Sequence, residues 1–337
     1  MNSRSKKIIF FTSSNFGGGA EKQLVKYFQI LNINNNCEFY TAKGESRDFI
    51  KSFQRKKTVF SFFDLLKKLY QIKPDFLITT LPTPNLINTL IKKTNLISFQ
   101  SVVRIANNNV GFKTSKFIVN NSDKVIFNSI ENLDLYSNEF PNKVNNFFYV
   151  NNAIDYETIP KYIKKNKDKN IKALVVSRLT YNKGLDILID CMNELVEEKL
   201  YIDIYGIGPD FKKLKTQSRN NKVKFVNRFQ ELENLWKNYD LYILPSRKEG
   251  MSNSLLEAQL HNLFSIVSDC ETGNKEVIKL TNNGVLFENE NYLDLKNKIL
   301  NFVNNKYSTK ESSFHIINNF SRENTKETLL KALGIQN

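Results

Sequence analysis

The chain has few of the residues that most often announce chemistry: three cysteines, two histidines and one tryptophan among 337 residues. Cys37, Cys191 and Cys270 are widely scattered with no paired spacing, which argues against a disulfide framework or a zinc cluster and predicts three buried thiols. No uninterrupted apolar stretch reaches the length of about eighteen residues that spans a bilayer. The start, Met1-Asn-Ser-Arg-Ser-Lys-Lys7, runs directly into the apolar Ile8 to Thr12 without a signal-peptide core, so a cytoplasmic protein is expected. Solenoid-length repeats and low-complexity tracts are missing too. Acidic residues are in deficit: 49 Lys and Arg face 34 Asp and Glu, for a net charge of +15. Residues 1–155 hold 21 cations against 11 anions, and the remainder 28 against 23. This excess suits an anionic partner such as a membrane surface, a phospholipid-linked substrate or a nucleic acid; a broad bias toward Lys and Asn explains it as well.

What the chain does contain is a repeated alternation of strand, turn and helix. Ile8 to Thr12, Cys37 to Thr41, Phe76 to Thr79, Ser98 to Val103, Val125 to Asn128 and Phe148 to Val150 read as strands, with helical segments between them. One such segment is Ser61 to Ile72, in which Ser61 is a candidate cap and Phe62, Leu65, Leu66 and Leu69 share a face. The alternation restarts at Lys172 to Ser177 and continues through Tyr201 to Tyr205, Val223 to Val226, Leu241 to Leu244 and Phe264 to Ser268. The poorly apolar Lys161 to Asn170 is the best linker. The pattern predicts an α/β protein of two doubly wound, Rossmann-like domains facing across a cleft, over residues 1–155 and 165–317. A C-terminal helix, about 318–337, is a candidate to pack back on the first domain.

Four turns carry candidate chemistry. Gly17-Gly18-Gly19 follows the first strand and opens a helix, where glycines let a phosphate or sugar approach backbone N–H groups; a tight connection alone would look the same. Ser177-Arg-Leu-Thr-Tyr-Asn-Lys-Gly184 holds the same place in the second half, and its Arg178 and Lys183 suit one diphosphate, as a fork and as a point charge. Tyr205-Gly206-Ile-Gly-Pro209 is a third glycine turn. The fourth is the most informative. In Pro245-Ser-Arg-Lys-Glu-Gly-Met-Ser-Asn-Ser-Leu-Leu-Glu-Ala258, Glu249 on a loop and Glu257 inside a helix bracket a strand-to-helix turn whose amides favour an anion. Two solvated glutamates on a surface helix are the plain alternative.

Together these motifs resemble the retaining, GT-B-type glycosyltransferases of family four, the glycosyl transferases group 1. The resemblance runs over almost the whole chain: Gly17-Gly-Gly-Ala-Glu21, Asn152-Ala-Ile-Asp155, Ser177-Arg178 with Lys183-Gly184, Tyr205-Gly-Ile-Gly-Pro209, and Glu249 with Glu257 at the family's seven-residue spacing. It implies a nucleotide-sugar donor, UDP-sugar before GDP-sugar, held mainly by the second domain, and a saccharide or lipid-linked acceptor at the first, in building a lipopolysaccharide, capsule or O-antigen. Arg178 and Lys183 would neutralise the departing diphosphate, Glu249 would contact the transferred sugar, and Glu257 would bind the ribose. Gly18, Gly19, Gly206, Arg228, Gly250, Met251, Ser252, Asn253 and Ser254 complete the implied donor site. Many relatives carry a first-domain histidine; here the strand runs into Arg104-Ile-Ala-Asn-Asn-Asn109, so Arg104 or Asn107 is the candidate for that place. The chain has no Asp-x-Asp, which fits metal-free, cofactor-free transfer. With only His261 and His315, no first-domain histidine can serve as the base an inverting displacement needs.

Other readings stand beside this one: a nucleotide-sugar epimerase or phosphorylase of the same fold, a catalytically dead sugar binder, and a basic nucleic-acid binder that only the charge supports. Lys51 to Lys73 interleaves cations with aromatics, and Arg55, Lys56, Lys57 and Phe60 are its candidate contacts to an anionic membrane.

Overall fold

The computed structural model describes residues 5–14, 18–46, 48–106, 111–156, 170–227, 235–271 and 273–336. Gly17, Asn107, Arg228 and all of the linker but Asn170 lie outside them. The chain divides into two compact units, one of Met1–Ala153 with Phe320–Asn337 and the other of Ile154–Asn319.

In the first unit the chain runs through β1 (Lys7–Ser14), α1 (Gly19–Leu31), β2 (Asn36–Lys43), β3 (Ile50–Ser52), α2 (Phe62–Ile72), β4 (Phe76–Thr80), α3 (Pro82–Thr94), β5 (Gln100–Ile105), α4 (Phe112–Asn121), β6 (Lys124–Phe127), α5 (Ile130–Glu139) and β7 (Phe147–Tyr149). The strands form one parallel sheet in the order β3-β2-β1-β4-β5-β6-β7, so the winding reverses between β1 and β4. Because both faces are covered, strands such as Ile8-Ile-Phe-Phe11 are apolar without alternation. One face packs Ile8, Phe10, Phe39, Ile78, Val102 and Ile126 against Leu24, Tyr27 and Phe28 of α1. The final helix, α12 (Arg322–Leu333), returns to this face with Leu329, Leu330 and Leu333. The opposite face packs Ile9, Phe11 and Leu77 against Leu65 and Leu69 of α2.

The second unit runs through β8 (Ile171–Val176), α6 (Leu185–Glu194), β9 (Leu200–Tyr205), α7 (Phe211–Gln217), β10 (Val223–Val226), β11 (Leu241–Leu244), α8 (Asn253–Leu260), β12 (Phe264–Ser268), α9 (Asn274–Thr281), β13 (Gly284–Phe287) and α10 (Tyr292–Val303), with α11 (Ser313–Phe320) ahead of α12. Its sheet is parallel in the order β10-β9-β8-β11-β12-β13, reversing between β8 and β11. The expected pair of Rossmann-like sheets is therefore present.

Several local expectations are corrected. Ser61 does not cap α2: a short 3-10 turn runs into the helix, Ser61 takes φ −79° and ψ −3°, and its buried Oγ has no partner. A residue already in the helical region cannot turn its hydroxyl onto the N–H groups ahead. Cys37 is only partly buried, because it lies near the start of β2. Strand β5 extends through Ile105, which places Arg104 inside the sheet instead of in the loop beyond. Arg55, grouped by sequence with the free lysines beside it, forks onto Asp64 of α2 at 2.6 and 2.8 Å.

Candidate active site

In a doubly wound sheet, ligands bind beyond the carboxyl ends of the strands where the winding reverses. In the second unit that point lies between β8 and β11, and the segments leaving these strands are those carrying Arg178 with Lys183 and Glu249 with Gly250. Their backbones touch. Gly184 has φ +60°, and a β-carbon on it would stand 1.9 Å from the carbonyl oxygen of Pro245, so the approach requires glycine. The Arg247 amide donates to the Asn182 carbonyl at 2.9 Å. This contact brings Lys183 against Glu249 as a partly buried ion pair, and Ser246 Oγ donates to the same Glu249 oxygen at 3.0 Å. Arg178 is exposed at the end of β8. Lys183, expected at the diphosphate, and Glu249, expected at the sugar, are thus bonded to each other.

Arg247 holds this assembly from behind. Its guanidinium forks onto Asp186 of α6 at 2.7 and 2.8 Å, bonds Glu290 at 2.6 Å and the Tyr181 carbonyl at 2.8 Å, and lies 4.0 Å from the Tyr181 ring centre. Burial alone would raise the Asp186 carboxyl, but the hydrogen bonds and charge of Arg247 hold it below the usual carboxylate range. Sequence reasoning missed both residues. The available signal was an acid in the first turn of the helix that follows Lys183-Gly184 and a cation two residues before Glu249.

The helix after Glu249 is supported from below. Tyr242 of β11, fully buried, donates to Ser254 Oγ at 2.7 Å, and Ser252 Oγ lies 3.1 Å from Ser254 Oγ. With Tyr242 as its donor, the Ser254 hydroxyl keeps its own hydrogen for a third group. Met251 is buried, so the main chain is what it presents. Asn253 opens α8, and Glu257 stands one turn into it, half-buried. Beyond it, His261 stacks on Trp236 with ring centres 5.8 Å apart, and burial lowers its pKa to about 4.

Two glycine expectations change. The Gly206 amide already donates to the Val226 carbonyl at 3.1 Å. Packing instead demands Gly208, where a β-carbon would meet the Leu179 carbonyl at 2.2 Å as the third glycine turn closes on the Arg178 segment. In the first unit, the Gly18 amide donates to Glu21 Oε2 at 2.9 Å and Ser14 Oγ to Glu21 Oε1 at 2.7 Å, so the chain's own carboxylate sits at the start of α1, beside Gly19. Arg104 is 1% exposed and donates to Asn152 Oδ1 at 2.7 Å. It belongs to the other unit from Lys183 and Glu249. Among the described residues no cluster of three or more His, Cys, Asp or Glu could hold a metal ion, and no helix is long and apolar enough to cross a membrane.

Two parallel sheets, each wound in both directions, and paired charges at the reversal point of the second define the Rossmann-like class that binds ligands at strand ends. Residues 155–321, about half of the chain, match the family described as Glycosyl transferases group 1. It is 26% identical over 230 residues to a poly(ribitol-phosphate) alpha-N-acetylglucosaminyltransferase of Staphylococcus aureus, a match covering 65% of this chain and 45% of that protein. It is 24% identical over 333 residues to an uncharacterized glycosyltransferase of Haemophilus influenzae, covering 89% of this chain and 91% of the relative. Anabaena Alr3699/HepE, solved with UDP-glucose, shares the fold with a TM-score of 0.81 at 16% identity, over 98% of this chain and 99% of that one.

Proposed function

We propose that the protein is a cytoplasmic, retaining, metal-independent glycosyltransferase that moves a sugar from a UDP-sugar to a saccharide or lipid-linked acceptor in cell-surface glycan synthesis. The second unit takes the donor and the first the acceptor. The observation that carries this reading is the Lys183–Glu249 pair at the reversal point of the region that matches Glycosyl transferases group 1, with Arg178 exposed on the adjoining segment. Lys183 and Arg178 meet the charge that grows on the diphosphate as the bond from sugar C1 to phosphate oxygen breaks. The acceptor hydroxyl oxygen bonds to C1 on the same face, and its proton passes to the departing phosphate oxygen. No protein base is needed for that transfer. Glu249, fixed by Lys183 and Ser246, orients the sugar, and Glu257 the ribose. The UDP-glucose complex of the structural relative and the poly(ribitol-phosphate) named for the Staphylococcus relative support the donor and acceptor classes.

Donor screening by thermal unfolding tests this. A ligand at a hundred times its dissociation constant adds about 2.7 kcal/mol, so one nucleotide sugar should raise the melting temperature by several degrees above the others. Release of UDP from UDP-sugar only when acceptor is present separates this activity from an epimerase or a phosphorylase. Stabilisation by no UDP- or GDP-sugar would count against the whole reading.

We also propose peripheral attachment to an anionic membrane. Val59, Phe60, Phe63 and Tyr70 are exposed, with Lys56, Lys57 and Lys67 exposed beside them, while Leu65 and Leu69 face the core. Phe63, Lys67 and Tyr70 share one outer stripe of α2, an arrangement that seats aromatics among acyl chains and cations on headgroups.

A further inference from the structure

The first unit carries a second reversal point, between β1 and β4, and the residues just below the strand ends there are polar where a core would be apolar. Thr12 pairs in register with Thr41 of β2, and Thr80 with Arg104 of β5; Thr12 and Thr80 are the next positions beyond the paired Phe11 and Thr79. Side chains alternate along a strand, and Phe10, Phe39, Ile78 and Val102, two residues earlier in each, all pack toward α1. Thr41, Thr12, Thr80 and Arg104 therefore form one row across four adjacent strands on the α1 face. All four are buried, and the hydroxyls of Thr12, Thr41 and Thr80 have no hydrogen-bond partner. Nor do Arg104 Nε and Nη1; its Nη2 donates to Asn152, and the Tyr27 hydroxyl is its other side-chain neighbour. Its guanidinium lies 5.7 Å from the Tyr27 ring centre, and among the described residues no carboxylate pairs with it.

A buried, unpaired guanidinium with three idle hydroxyls beside it is costly for a fold to keep. Replacing these groups by apolar ones of similar shape would serve packing better, so their retention calls for a ligand that completes them. The row offers N–H and O–H donors and one full positive charge. Neighbouring strands lie about 4.8 Å apart, so Thr80 and Thr12 follow Arg104 at one and two strand spacings, a reach that the several oxygens of one tetrahedral oxyanion can bridge, whereas a carboxylate would satisfy the arginine alone; Thr41 is one spacing further. The start of α1 does not compete for this ligand, because Glu21 already occupies it. We propose that the row Thr12, Thr80 and Arg104, with Thr41 at its far end, is a phosphoryl-binding site of the first unit, separate from the Lys183 site. This inference rests on the sheet and its unsatisfied groups and does not require the proposed transfer reaction.

The test uses the full chain carrying Lys183→Ala, so that binding at the second unit is weakened, with inorganic phosphate as the probe at constant ionic strength. Titration calorimetry and thermal unfolding are compared for that parent, for Thr12→Val with Thr80→Val, and for Arg104→Lys. The valine pair should unfold without phosphate at the parent's temperature or higher, since it removes idle buried hydroxyls. Arg104→Lys should bind phosphate about tenfold more weakly, the loss of one charge-assisted hydrogen bond, and the valine pair, which loses two hydroxyl donors, at least as much. No phosphate binding by the parent, equal affinity in all three, or a valine pair that melts several degrees lower without phosphate would overturn the proposal. In chains with Lys183 intact, Arg104→Lys then names the source of the phosphoryl group. Unchanged UDP affinity with a raised acceptor KM assigns it to the acceptor; weakened UDP affinity would overturn the separation from the Lys183 site.

Discussion

Replacing Arg247 by methionine should loosen the Lys183–Glu249 pair without touching either residue. The bidentate bond to Asp186 is charge-assisted and mostly shielded, since Arg247 is 11% and Asp186 24% exposed in the side chain. Such a bond is worth about 1.5–3 kcal/mol. The contact with Glu290, whose side chain is 56% exposed, adds no more than about 0.5 kcal/mol. Stacking on Tyr181 adds about 1 kcal/mol. Methionine keeps some of the packing of the stem, so a net loss of roughly 3 kcal/mol is expected, or about 6–12 °C for a unit of this size. Arg247→Lys retains the charge but cannot fork, and should recover about half of the loss. The chemical readout separates positioning from plain destabilisation: at a temperature where each variant is fully folded, turnover should fall while the donor KM changes little, because the loops still bind but hold Lys183 and Glu249 out of register. A double-mutant cycle with Asp186→Asn should give a coupling of about 1.5 kcal/mol or more. Unchanged melting and unchanged turnover in the methionine variant would refute the reasoning.

Lys183→Ala and Arg178→Ala should each lower turnover by about a hundredfold in steady-state assays while leaving the chain folded, because each meets charge that grows as the donor bond breaks. Glu257→Gln should mainly raise the donor KM and Glu249→Gln mainly lower turnover; identical kinetic defects would show that the division of roles is wrong. His261 has a folded pKa of about 4 against an ordinary 6.5, so it binds its proton more readily when unfolded. Its contribution is then complete above pH 6.5 and is lost as the pH falls toward 4, by roughly 2 kcal/mol after allowance for partial exposure. Denaturant titrations from pH 7.5 to 4.5 should show a steeper loss for the native chain than for His261→Phe. Sedimentation with anionic vesicles should show salt-sensitive binding that Phe60→Ser with Phe63→Ser abolishes, while Arg55→Ala has little effect because Arg55 is spent on Asp64.

The doubly wound sheets were legible because their strands are buried on both faces and read as short apolar runs between turns. Strands such as Val223–Val226, Leu241–Leu244 and Phe264–Ser268 have the expected bounds. Strands β3 and β13 were not legible. Ile50–Ser52 is a three-residue edge strand with a lysine at its centre, and Gly284–Phe287 follows two asparagines and begins with glycine, so turn chemistry hides it. In the candidate site, the residues expected to face a ligand stand in local motifs. Those that hold them do not: Asp186 meets Arg247 across 61 positions, and the inward turn of Tyr242 toward Ser254 depends on packing between a strand and a helix. Arg104 was misplaced for a related reason, because a charged residue after an apolar run reads as a strand end, and here the sheet continues beneath it.

The return of α12 to the first unit fixes an order of assembly. Leu329, Leu330 and Leu333 cover the same face as Phe10 and Phe28. Ala153 and Leu333 are 180 positions apart (333 − 153). At about 5–20 residues per second, synthesis needs roughly 10–40 s to cross that gap. During that time the earlier-made sheet waits with an apolar face uncovered while the whole of the second unit, Ile154–Asn319, is made. The part begun first is thus finished last, and a ribosome stalled between residues 153 and 320 would display a sticky, incomplete sheet that a chaperone must shield.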